Sequence, residues 1–171
     1  MIVDVVDYSL GGAIDRHRHW SHRELTEQRP ASVVTILVPT DTLGSFVNQV
    51  KNAYRANGSI HLLRIHGHGN VGTFLHGTMT TESVQANRSL LGRLQECFAP
   101  RGQAFLMGCR VGEQMTMLMD LAEIWQVPVT AGIGMQHSIG RATFAFEGRT
   151  ATGLPNRSVE FDRPGIPRLS R

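Results

Sequence analysis

Two short strings gather the residue types able to do covalent chemistry. His66-Gly67-His68-Gly69 closes the apolar run IHLLRI, and Gly108-Cys109 closes the apolar run QAFLM. A thiol beside an imidazole is a nucleophile with its base: the imidazole takes the thiol proton and the thiolate attacks a carbonyl carbon. Backbone N–H groups next to the nucleophile can then hold the oxyanion that forms. Glycine beside each reactive residue lets the chain turn sharply and lets the backbone approach a ligand. Cys97, the other cysteine, falls in LLGRLQECF, a helical pattern that reads as core packing.

These residues need elements to carry them. Residues 1–7, MIVDVVD, alternate and are rich in valine, as a strand does. Residues 31–39, ASVVTILVP, form a continuous apolar run between prolines, which suits a buried strand. Helical spacing follows over 43–57, capped by Asp41 or Thr42 and stopped at Asn57-Gly58. IHLLRI is the next buried strand, and 73–79 reads as a hairpin or irregular segment. A helical region spans 81–98, a turn falls at Pro100-Arg101-Gly102, and QAFLM is a strand. A helix is expected over 113–126, a strand over 127–131 and a sixth strand over 141–146. The tail, 153–171, contains three prolines and is expected to be extended.

Strand and helix alternate, so the expected fold is α/β: a mostly parallel sheet of about six strands with helices on both faces, a three-layer sandwich. The 171 residues suit one domain, with its core at roughly 31–150. Sites in such sheets form beyond the carboxyl ends of the strands. Both reactive strings stand there.

Composition removes several function classes. No apolar stretch approaches the roughly 20 residues that span a bilayer. The first residues carry an acid and no basic region, so they do not read as a signal peptide, and the expected location is cytoplasmic. Net charge is +3, but Lys51 is the only lysine among 17 basic residues, and these are scattered. Without aromatic interleaving, a nucleic-acid surface is poorly supported. Two cysteines make neither a disulfide framework nor a CxxC zinc site.

Residues 65–72, IHGHGNVG, resemble the histidine block of the caspase-like cysteine peptidases, which include caspases, metacaspases, legumains, gingipains and separases. Phe105-Leu106-Met107-Gly108-Cys109 resembles their cysteine block. His68 precedes Cys109 by 109 − 68 = 41 residues, against about 50 in caspases. The likeness covers roughly 31–135 in element order, and is nearest to compact bacterial domains of this kind. It implies a caspase-like fold and a cysteine endopeptidase acting through a thioacyl-enzyme, with His68 as base and Cys109 as nucleophile. It further implies Gly69 and Cys109 as backbone oxyanion donors, no essential third residue and no cofactor. The substrate would be a protein or peptide, with an activating partner protein as a further expectation. The residue two before the cysteine often lines the S1 pocket. Met107 stands there, which implies a P1 preference that is not simply basic and suits an apolar side chain.

Two other readings compete. His66 also precedes a glycine and rivals His68 as base, although the strand ends at His66, whose side chain would then point into packing. His66 and His68, with His76, or His17, His19 and His22, could ligate a metal in a hydrolase, but no acid lies near His66–His76 and zinc needs three or four supported ligands. A non-enzymatic alternative is a catalytically silent caspase-like module that binds a protein partner.

Overall fold

The computed structural model describes residues 1–7, 33–38, 42–75, 78–136 and 145–169. Strand β1 (Ile2–Asp7) runs parallel to β2 (Val33–Val38) on one side and to β3 (Ile60–His66) on the other. Beyond β3 lie β6 (Phe98–Met107) and β7 (Val129–Gly132), both parallel, then β8 (Thr150–Gly153) and β9 (Val159–Phe161), each antiparallel to its predecessor. The seven-stranded order is β2-β1-β3-β6-β7-β8-β9. A separate two-stranded hairpin, β4 (Gly69–Asn70) with β5 (Thr73–Phe74), projects between β3 and the helices that follow. The α/β class and the mostly parallel sheet agree with the sequence.

Side chains alternate across a strand, so registered residues form rows on each face. One row runs Val3, Leu63, Ala104, Val129; the next runs Val5, Ile65, Leu106, Ala131, Ala151. These apolar rows join one core with the helices α1 (Leu43–Asn57), α2 (Thr81–Ala86), α3 (Arg88–Gly92) and α4 (Met115–Trp125). Within it, Trp125 of α4 is fully buried and its indole N–H donates to the Leu91 carbonyl of α3 at 3.2 Å. The described helices therefore share one face.

The opposite face differs. Its row runs Asp4, Arg64, Phe105, Thr130, Thr152, all buried, and no helix among the described residues covers it. Thr130 and Thr152 bridge their hydroxyls at 2.9 Å, and Phe146 meets Phe105 edge-on with ring centroids 5.4 Å apart.

Local chemistry explains the element ends. The Thr42 hydroxyl accepts the Ser45 N–H at 3.1 Å and starts α1; Gly58, at φ 87°, ends it. Thr80 and Ser83 form a capping box for α2.

Several expectations change. The helical region over 81–98 breaks at Asn87 into two short helices and then a 3-10 turn (Gln95–Cys97). Pro100-Arg101-Gly102 lies inside β6 rather than before it, accommodated by a register shift against β3 and by Arg101 at φ 65°. The sixth strand is Thr150–Gly153; of the expected 141–146 segment most lies outside the described residues, and Phe146 makes an isolated bridge to Arg168. The tail is not merely extended, because Val159–Phe161 adds a strand to the sheet. Among the described residues, no helix is long and apolar enough to cross a membrane.

Candidate active site at the carboxyl ends of β3 and β6

Strands β3 and β6 are neighbours, and His66 pairs with Met107 at their shared end. The Gly67 N–H reaches the Met107 carbonyl at 3.4 Å, so the two chains leave the sheet side by side. This edge adjoins the β1/β3 position where strand order reverses, the usual crevice of an open α/β sheet.

Two glycines make the close approach possible. A Cβ on Gly108 would stand 2.8 Å from the Gly67 carbonyl oxygen and 2.7 Å from the Phe74 ring. A Cβ on Gly69 would stand 2.5 Å from the Cys109 carbonyl oxygen and 3.2 Å from its nitrogen. The Gly69 backbone thus lies directly against the backbone of Cys109. The histidine string and the cysteine string, 41 residues apart by 109 − 68, meet through glycines that tolerate no side chain.

His68 is exposed and sits between β3 and the β4–β5 hairpin. Its carbonyl accepts the Leu75 N–H at 3.0 Å, which pins the loop to the far arm of the hairpin. Fully buried Phe74 wedges that arm beneath Gly108.

Cys109 is half-buried and not in a disulfide. Its Sγ donates toward the Gln136 carbonyl at 3.3 Å and receives the Gln136 N–H at 3.4 Å. Gln136 is held in turn, since its amide exchanges hydrogen bonds of 3.0 and 2.9 Å with the Glu147 backbone. After Cys109 the chain turns at once: Arg110 is left-handed at φ 58°, and its N–H donates to Gly134 at 2.7 Å. The Arg110 guanidinium grips Glu113 through two bonds of 2.9 Å and holds that carboxyl below its usual range, against a smaller opposing effect of burial. A 3-10 turn (Val111–Glu113) and α4 follow.

The two histidines separate. His66 lies on the sheet face that carries Asp4 and Arg64, with its Nε2 3.1 Å from Asp4 Oδ1. The buried Asp4 carboxylate also takes Arg64 through two bonds of 2.6 and 2.7 Å. Burial pushes the Asp4 carboxyl upward, but the hydrogen bonds and charges of His66 and Arg64 outweigh it and hold the group ionised below its ordinary range. An ionised Asp4 requires the proton on Nε2 of His66. Met107 is half-buried beside His66 on the same face.

Among the described residues, no three His, Cys, Asp or Glu side chains gather as a metal site. Both Asp4 oxygens face the Arg64 cation, a poor neighbour for a metal beside His66. His17, His19, His22 and His76 lie outside the described residues.

Sequence reasoning missed Asp4, Arg64, Gln114 and Gln136. For the first two a signal existed: one acid inside MIVDVVD and one arginine inside IHLLRI, each an expensive residue in a buried strand unless paired. Gln114 and Gln136 carried none. Comparison with protein-family models, with curated proteins and with solved structures yields no match.

Proposed function

We propose that this protein is a caspase-like cysteine endopeptidase with a three-layer fold of that type, in which His68 and Cys109 form the catalytic dyad. The observation that carries the reading is the contact of the Gly69 backbone with the Cys109 backbone, which sets two candidate oxyanion donors beside the one cysteine at a strand's carboxyl end. His68 is preferred to His66 as base because it adjoins Gly69, whose backbone contacts Cys109, whereas the His66 Nε2 is turned to Asp4 on the sheet face.

In the proposed cycle His68 accepts the thiol proton and the Cys109 thiolate attacks the scissile carbonyl carbon. The carbonyl π pair moves to oxygen, where the Gly69 and Cys109 N–H groups hold it. Collapse expels the amine, which takes the proton from His68, and leaves a thioester on Cys109. Water, deprotonated by His68, then releases the acid and restores the thiol. Met107 lines the S1 side, which suits an apolar P1 residue.

A second reading rests on the Gln136 backbone, which engages Sγ both as acceptor and as donor. A thiol parked this way fits a silent module that binds a protein partner, or an enzyme that a partner must switch on. Alkylation with iodoacetamide followed by peptide mapping separates the cases. The peptidase reading expects Cys109 to react faster than Cys97 and cleavage of a fluorogenic peptide library to stop with it. It also expects full activity in chelator. Equal or absent labelling, or activity that survives alkylation, sinks it.

A further inference from the structure

Gln114 lies between the turn after Cys109 and the start of α4, only 9% exposed. Its Nε2 donates to the Asn70 carbonyl at 3.0 Å, across 44 residues of chain. The other half of the amide, Oε1, is buried without a hydrogen-bond partner among the described residues. That is an odd choice for stability alone. A buried acceptor left unmade costs about as much as one hydrogen bond returns, so an apolar side chain of this size would serve the fold as well. Half-satisfied buried groups persist where function keeps them.

The retained bond has a clear geometric consequence. Asn70 directly follows Gly69. On the other side of Gly69 the His68 carbonyl is tied to Leu75 at 3.0 Å. Gly69 is therefore suspended between two anchored carbonyls, one belonging to the hairpin and one reached from the nucleophile's own turn. Gln114 is the only described side chain that donates from the Cys109 turn to the histidine loop.

We infer that Gln114 is a positioning residue that fixes the distance between the Gly69 and Cys109 N–H groups, through its bond to Asn70. The inference rests on the peptidase reading above. It acts on the oxyanion donors rather than on thiol activation, and this makes it separable. In alkylation by iodoacetamide the thiolate attacks the methylene carbon and expels iodide from it, forming no oxyanion; amide hydrolysis forms one.

The test compares wild type with Gln114→Met and Gln114→Glu, the second keeping shape while replacing the donor by an acceptor. With a fluorogenic peptide amide that wild type cleaves, both variants should lose about 10- to 100-fold in kcat, as a misplacement near 1 Å does, with KM within about threefold. The iodoacetamide rate at Cys109 should stay within about twofold, and the melting temperature of Gln114→Met should fall by no more than about 4 °C. An unchanged kcat in either folded variant overturns the inference and leaves the peptidase reading intact. So does a fall in alkylation that matches the fall in kcat, since Gln114 would then act through His68. A wild type that cleaves no peptide amide overturns both.

Discussion

Strand β6 carries a cysteine at each end, and the two are opposites. Cys97 precedes its first residue, in a 3-10 turn packed into the helix-side core, fully buried. Burial pushes its thiol upward, and among the described residues its sulfur's one polar partner is the Arg93 carbonyl, at a long 4.0 Å. Cys109 lies two residues beyond the last, half-buried, with backbone polar groups on its sulfur and the Gly69 backbone alongside. On the proposed peptidase reading, the same residue type packs into the core at the amino end and serves as nucleophile at the carboxyl end, where open α/β sheets form their crevice. Exposure and polar contacts, not the thiol itself, make the difference.

Substitution breaks that comparison most sharply at the sulfur. Cys109→Ala should remove at least about 1,000-fold of the peptidase rate, as loss of a covalent nucleophile does. Cys97→Ala should leave kcat within about twofold and cost about 1 kcal/mol of stability, the ordinary effect of a small core truncation. Steady-state kinetics beside a denaturant melt read both; equal losses at the two positions would erase the distinction.

The next effect lies beneath the carboxyl end. Breaking the buried Asp4–Arg64 pair by Asp4→Asn should cost about 3–5 kcal/mol in a urea melt. The pH dependence has a fixed sign. Asp4 is held below its unfolded value, so its contribution is fully present above an unfolded pKa of about 3.9 and fades as pH falls through the lower folded value. Wild type should therefore lose stability in that acid window and Asp4→Asn should lose less of it. Parallel curves for the two proteins would contradict the assignment.

A smaller change in activity than at Cys109 tests the backbone contact. Gly69→Ala pushes a methyl onto the Cys109 carbonyl and nitrogen, which cannot rotate away as a side chain would. An expected loss of about 100-fold in kcat with a folded protein matches removal of one oxyanion donor. Wild-type kinetics in this variant would separate the glycine from the chemistry.

Much of this was legible from residue types. Gly108-Cys109 and His68-Gly69 declared themselves by ending apolar runs in small, turn-prone residues, and Cys97 by sitting in an amphipathic pattern. The antiparallel strands β8 and β9 did not, because TATG and VEF are short, and short runs show no decisive periodicity.

The sequence by itself determined the alternation of elements, the parallel core of the sheet and the two strand ends on which reactive residues stand. Those follow from local patterns of burial, which are written in neighbouring residues. Only the tertiary structure decided that β3 and β6 lie side by side, that His66 turns to Asp4, that Gln136 caps the sulfur and that Gln114 spans from one string to the other. Each of those depends on register between segments dozens of residues apart, and a hydrogen bond over such a distance leaves no period in the chain.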